Sequence, residues 1–214
     1  MKYKHILLDL DGTISDPKIG ITKSVQYALN KMGIIENDLD KLEPFIGPPL
    51  KNSFIDIYSF SEGRANQAVE YYREYFKEYG MYENELYPGM LELLENFQNS
   101  GFTLYVATSK PTVFAKQILK YFQIEHYFEW IVGSNLDGTM SDKSEIINYI
   151  IKNKEISIDS LIMIGDRKHD IVGANNNGIA SIGVGYGYGS EEELRKANCT
   201  YYINKLDDIV RVVS

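Results

Sequence analysis

The chain has one cysteine, Cys199, in 214 residues. That excludes an internal disulfide and any paired-cysteine metal spacing, and leaves a packed or partly exposed thiol. Long apolar runs are also missing. No segment approaches the ~20 apolar residues of a membrane span. The opening "MKYKHILLDLDG" has an apolar run too short for a signal-peptide core and no small-residue cleavage site. The expected setting is therefore a reducing cytoplasm, with no membrane partner. An excess of basic residues is lacking too: 22 Lys and Arg stand against 30 Asp and Glu, for a net charge of −8. Nucleic acid, which needs clustered cations, is not an expected partner. An anionic small molecule remains compatible, because a bound metal and a few local donors can reverse the field inside one cleft. Of the three histidines, His5 and His126 have no partner visible in the sequence. No repeat or low-complexity tract interrupts the chain. Its 44% hydrophobic and 24% charged residues are ordinary for a globular protein, and its length suits one domain with an insertion or two small ones.

Short apolar runs recur: "HILLDL" from His5, "FTLYVATS" from Phe102, "WIVGS" from Trp130, "LIMIGD" from Leu161, "ASIGVG" from Ala180 and "TYYIN" from Thr200. Four are almost uniformly apolar, as in strands buried on both faces of a sheet. Helical patterns separate them, over 90–100, 113–122, 144–153, 171–176 and 191–196. Alternation of this kind predicts an α/β fold with an open parallel sheet and helices on both sides.

Between the first and second strands lies a long stretch with no strand pattern, roughly Ile19 to Glu85. It reads as helices over 19–32, 39–43, 50–58 and 61–79, broken by "FIGPP". A plain alternating fold returns to its sheet sooner. The expectation is an inserted α-helical cap over residues 16–85, with a core made of 1–15 and 86–214. The tyrosine-rich "YYREYFKEYG" at Tyr71–Gly80 belongs to this insertion and reads as an amphipathic helix with a broad aromatic face.

Open α/β sheets bind ligands beyond the carboxyl ends of their strands. The first strand places Asp9 and Asp11 there, the second Thr108 and Ser109, and "LIMIGD" gives Asp166, with Asp170 in the turn that follows. Lys143 opens the helix after "WIVGS". Acids without His or Cys select a hard, oxygen-loving cation such as Mg²⁺. Asp9 and Asp11 can both face one cleft only if the backbone bends, and Gly12 supplies that freedom. Unpaired buried charge is expensive, so carboxylates at the end of an apolar strand imply a cation or a reaction. The blander readings are a strand-end hydroxyl for Thr108, a surface lysine for Lys143, a helix-dipole charge for Asp170 and a solvated turn for Arg167, Lys168 and His169.

"DLDGT" at Asp9–Thr13, Thr108 after "LYVA", Lys143 in "SDKSEII" and "GDRKHD" at Gly165–Asp170 together resemble, in order, the four signatures of the haloacid dehalogenase-like hydrolases. The resemblance spans the chain, cap included, and implies a Rossmann-like core. It implies Asp9 as nucleophile and Mg²⁺ ligand. Asp11 would be the general acid and then base, lending its carbonyl to the metal. Thr108, Ser109, Lys143 and Gly12 would hold the phosphoryl group, and Asp166 and Asp170 would serve the metal. The second acid, Asp11, marks the phosphate-transferring branches of such a family.

The likeness is to members resembling 5′-nucleotidases and phosphoglycolate phosphatases. The first is favoured by "MIGDRKHDIVGA" and "GVGYGYGSEEEL". The second is weakened by Ser109, where an Asn commonly stands in those enzymes. The "FIGPPL" segment, with Gly47, Pro48, Pro49 and nearby Lys51, is the candidate substrate-facing loop of the cap; a plain helix connector is the alternative. The expected function is Mg²⁺-dependent hydrolysis of a small phosphate ester through an aspartyl phosphate, and the expected assembly is a monomer or weak homodimer. A β-phosphoglucomutase-type isomerase, a receiver-like signalling domain and an inert phosphate binder are the competing readings. Hinges are expected at 15–19 and 86–89.

Overall fold

The computed structural model describes residues 2–213, and they form two compact units. One contains the residues up to Asp16 and from Leu86 onward. The other runs from Pro17 to Glu85. In chain order the first unit begins with β1 (His5–Leu8) and leaves through the short β2 (Ser15–Asp16). The second unit contains α1 (Lys18–Lys31), a 3₁₀ stretch Leu39–Phe45, α2 (Leu50–Tyr58) and α3 (Glu62–Tyr75), and the chain returns through β3 (Glu85–Leu86). Then follow α4 (Met90–Asn99), β4 (Thr103–Pro111), α5 (Thr112–Tyr121), β5 (Phe128–Ser134), α6 (Lys143–Lys154), β6 (Leu161–Gly165), α7 (Lys168–Asn176), β7 (Ala180–Val184), α8 (Glu191–Lys196), β8 (Tyr201–Ile203) and α9 (Asp208–Val213).

Six strands form one sheet in the order β5-β4-β1-β6-β7-β8, every pair parallel. Strand β1 is central: Leu8 pairs with Val106 on one side and Ile164 on the other. Successive strands run outward from β1 on the β4 side and then restart at β6 on the opposite side. That reversal opens a crevice at the carboxyl ends of β1, β4 and β6. The apolar runs of β1 and β6 are buried as expected, with Ile6, Leu7, Leu8 and Leu161–Ile164 fully enclosed. Leu7, Tyr105, Ala107 and Val132 pack with Ile146, Ile147 and Ile150 of α6 and Ala174 of α7. Each Leu, Ile or Val among these contributes ~1.5–3 kcal/mol relative to exposure.

In the second unit, Phe45 meets Phe54 edge-on at 4.9 Å, and Val25, Leu29, Leu42 and Ala68 are buried. The helix expected over 61–79 ends at Tyr75 and continues as a wider π turn, Phe76–Gly80. The cause is close contact with α1: a methyl at Gly80 would lie 2.5 Å from Ser24 Oγ and 2.9 Å from the Gly20 carbonyl oxygen. Of the tyrosine-rich face, Tyr72 is buried and Tyr79 exposed. The short β2, β3 and α9 have no counterpart in the sequence reading, because two-residue strands and a six-residue terminal helix carry too little periodicity.

Strand β4 also runs two residues further than "FTLYVATS" suggests. Thr108 pairs with Gly133, yet the next pair is Pro111 with Ser134, so Ser109 and Lys110 form a bulge. Ser134 Oγ donates to the Ser109 carbonyl at 2.8 Å, and the Gly133 N–H donates to Thr112 Oγ1 at 2.8 Å. Gly133 makes the bulge possible, since a methyl there would sit 2.1 Å from the Lys110 carbonyl oxygen. The clashing group is backbone, so it does not yield cheaply. Gly133→Ala should therefore lower the unfolding free energy by about 1–3 kcal/mol, read as a reduced urea midpoint at unchanged m-value. An unchanged midpoint would show that β4 can relax.

Candidate active site

After β1 the ladder continues for one residue, with the Asp9 N–H donating to the Ile164 carbonyl at 3.0 Å. The chain then turns on the Leu10 carbonyl, which accepts from the N–H groups of Thr13, Ile14 and Ser15. Gly12, at φ +81°, takes the left-handed conformation this turn needs. The bend leaves both carboxylates in the crevice, Asp9 4% and Asp11 7% exposed.

Lys143 is the first residue of α6, whose N-terminus is capped by Asp142 accepting from the Ser144 and Glu145 N–H groups. The side chain is buried, and its ammonium has three acceptors for its three donors: Asp170 Oδ1 at 2.7 Å, the Ala107 carbonyl at 2.8 Å and Asp9 Oδ1 at 2.9 Å. Burial works against its charge, but Asp170 and Asp9 overcome that and raise its pKa. Asp9 Oδ1 also accepts the Leu10 N–H at 2.8 Å. Asp170 accepts the Arg167 N–H on its other oxygen at 3.1 Å. Its pKa is raised to about 6 by burial and the Asp9 charge, against the pull of Lys143. Asp166 is fully buried. Burial first, then the charges of Asp170 and Asp9, push its carboxyl well above the usual range.

Asp9, Asp166 and Asp170 each place one carboxylate oxygen within 4.8 Å of the others. Oδ1 of Asp166 is buried without a hydrogen-bond partner. One ammonium against three carboxylates leaves excess negative charge in a water-poor place, and oxygen ligands at this spacing fit a hard divalent cation such as Mg²⁺. The carboxylate of Asp11 lies outside this trio and has a cation of its own, with Oδ2 2.8 Å from Lys110 Nζ. Burial raises its pKa, Lys110 opposes that, and Asp9 adds to it.

The other expected groups are held by partners within the protein. Thr108 is buried at the end of β4, where Oγ1 accepts the Lys110 N–H at 3.2 Å. The Ser109 hydroxyl donates to the Ser141 carbonyl at 3.1 Å. The Arg167 guanidinium does not project into solvent from a loose turn; its Nε reaches Glu193 at 3.0 Å. Gly47, Pro48, Pro49 and Lys51 belong to the other unit. There Gly47 has φ +101°, Pro49 directly precedes α2, and the Lys51 ammonium is 3.1 Å from Glu62.

Two features escaped the sequence reading. Lys110 has a signal in hindsight: it lies two residues after Thr108 at the same strand end. The "GYGYG" stretch at 185–189 also meets the site. The Tyr188 N–H donates to Asp166 Oδ2 at 2.7 Å, and the Tyr186 hydroxyl donates to the Thr13 carbonyl at 3.1 Å.

A family model described as haloacid dehalogenase-like hydrolase matches residues 6–184. The chain is 50% identical, over 213 residues covering 100% of it and 96% of the relative, to a 5′-nucleotidase of Pseudomonas aeruginosa. It is 28% identical to a phosphoglycolate phosphatase of Vibrio parahaemolyticus, covering 99% of this chain and 96% of that one. A crystal structure of a predicted phosphatase from Clostridium acetobutylicum superposes with a TM-score of 0.97 at 50% identity, over 100% of this chain and 99% of the other. No helix among the described residues is long and apolar enough to cross a membrane. With buried acids gathered at the switch point of a six-stranded parallel sheet and a family model matching 6–184, the chain belongs to the haloacid dehalogenase-like hydrolases.

Proposed function

We propose that the protein is a Mg²⁺-dependent phosphomonoester hydrolase that works through an aspartyl phosphate, with a nucleoside 5′-monophosphate as its substrate class. The observation that carries the chemistry is the buried group Asp9, Asp166 and Asp170, with Lys143 bonded to two of its members. Asp9, Asp166 and Asp170 would hold the cation, with the Asp11 carbonyl beside them. When bound, Mg²⁺ would neutralise charge on the phosphoryl oxygens and align them. The substrate class is supported by the 50% identity to a protein named as a 5′-nucleotidase. A phosphoglycolate phosphatase is the second reading, supported by the 28% identical relative. A phosphomutase shares the same core set of groups and is separated from both by assay.

The residues divide the work as follows. A carboxylate oxygen of Asp9 attacks phosphorus, forming a P–O bond to Asp9 as the bond to the ester oxygen breaks. The departing alkoxide takes a proton from Asp11. That role requires a protonated carboxyl, which the raised pKa of Asp11 favours. Asp11, now ionised, accepts a proton from the water that attacks the aspartyl phosphate, releasing inorganic phosphate and restoring Asp9. Thr108, the Ser109 and Gly12 backbone and Lys143 would cradle the phosphoryl oxygens. Lys143 would exchange part of its bonding to Asp9 and Asp170 for the incoming charge. Selectivity among esters would rest with Gly47, Pro48, Pro49 and Lys51 in the inserted unit.

Phosphate release, measured with Mg²⁺ over nucleoside monophosphates, phosphoglycolate, sugar phosphates and phosphotyrosine, tests the reading. The wild type should release phosphate fastest from nucleoside monophosphates. Asp9→Asn should be slower by a factor on the order of 10³ or more. Equal activity of Asp9→Asn would sink the aspartyl-phosphate route. Conversion of a sugar phosphate without net phosphate release would identify a mutase. Fastest release from phosphoglycolate would move the second reading ahead.

Electrostatics give a second test. The pKa of Asp170 is raised from 3.8 to about 6 in the folded protein. Between those values the folded state holds more protons than the unfolded one, so this group's contribution to stability is full below about pH 4 and is lost as pH rises through 6. In EDTA, the unfolding free energy of Asp170→Asn relative to wild type should therefore shift in the variant's favour from pH 4.5 to pH 7. A pH-independent difference in urea midpoints would contradict the placement of Asp170 among buried acids.

A further inference from the structure

Asp166 is fully enclosed, and its two oxygens are treated differently. Oδ2 accepts the Tyr188 backbone N–H at 2.7 Å, and Oδ1 has no hydrogen-bond partner. The donor comes from the loop 185–189, Gly-Tyr-Gly-Tyr-Gly, between β7 and α8. Two of its glycines lie directly on Asp166. A methyl at Gly187 would be 2.4 Å from Asp166 Cβ and 2.3 Å from the Gly12 carbonyl oxygen. A methyl at Gly189 would be 1.9 Å from the Asp166 carbonyl oxygen. The two tyrosines fasten the loop to the turn after β1: the Tyr186 hydroxyl donates to the Thr13 carbonyl, and the Tyr188 hydroxyl bonds Asp16 Oδ1. Tyr186 is further packed edge-on against Tyr87 at 4.9 Å. The turn so gripped carries Asp11 and Gly12, and Asp16 is the last residue before the chain enters the second unit.

We propose that the loop 185–189 is a positioning device for Asp166, in which the Tyr188 N–H fixes one carboxylate oxygen so that the other faces the cation, and Tyr186 and Tyr188 lock that arrangement to the turn carrying Asp11. The inference rests on Asp166 being a cation ligand. Mg²⁺ demands near-ideal octahedral geometry, so a carboxylate free to rotate binds it less well than one held by a backbone donor. The glycines let backbone rather than side chain reach Asp166. The hydroxyls keep the loop from lifting away.

Isothermal titration with Mg²⁺ alone, on the full chain, tests this, with folding checked by circular dichroism. Gly187→Ala should raise the Mg²⁺ dissociation constant about 10- to 100-fold. The double variant Tyr186→Phe/Tyr188→Phe keeps every backbone donor and removes both anchors. It should weaken Mg²⁺ several-fold and leave KM for the phosphate ester unchanged. Its kcat should fall at limiting Mg²⁺ and recover in excess Mg²⁺, a recovery that a merely structural defect would not show. Wild-type Mg²⁺ affinity in both variants overturns the inference and leaves the site reading intact. If Gly187→Ala fails to fold, the tyrosine double variant decides alone. A wild-type protein that binds no Mg²⁺ overturns the cation reading of Asp166, and this inference with it.

Discussion

The ammonium of Lys143 holds the crevice together. Its three bonds reach three different segments: Asp9 after β1, the Ala107 carbonyl on β4 and Asp170 in α7. Removing one partner of a buried ion network leaves the others uncompensated, which costs far more than a surface pair gives. The reach depends on helix packing. Gly173 lets α7 come close to α6, since a methyl there would lie 2.9 Å from Lys143 Cγ. The Asp142 cap fixes where α6 begins, and so where Lys143 emerges. Two members of the acidic trio, Asp9 and Asp170, are thereby tied to one point.

The two aspartates of the first signature are only two residues apart, yet they answer to different cations. Asp9 is paired with Lys143, and Asp11 with Lys110. Environments that treat neighbouring acids differently are how one site assigns distinct tasks to identical side chains. The partner of Asp11 comes from the bulge of β4, and that bulge exists because Gly133 leaves room for it. A packing detail in β5 therefore determines where the counter-ion of a candidate acid–base group stands.

Much of the parallel sheet was legible because each strand is an apolar run ending in a polar or glycine turn, and because Asp9, Asp166 and Thr108 fall at those ends. Strand order alone brings these acids to one edge of the sheet. The π turn at Phe76–Gly80 was not legible, since it answers to the approach of Gly20 and Ser24 from more than fifty residues away. The extension of β4 to Pro111 was hidden for the same reason: a bulge is decided by the neighbouring strand, and no periodicity within β4 records it.

The loop 185–189 shows a different kind of limit. Its residues read as turn composition, and "GVGYGYGSEEEL" carries a resemblance to 5′-nucleotidase-like members without indicating what the loop touches. What the loop supplies to Asp166 is a main-chain N–H and the absence of side chains. Every non-proline residue has that donor, so side-chain identity cannot announce it. The glycines are the only trace, and glycine in a loop usually signifies a turn. Side-chain chemistry can be read along a chain, whereas backbone donors acquire meaning only once folding has aimed them. In this protein the carboxylates were therefore visible in the sequence, and the groups that orient one of them became visible only in the fold.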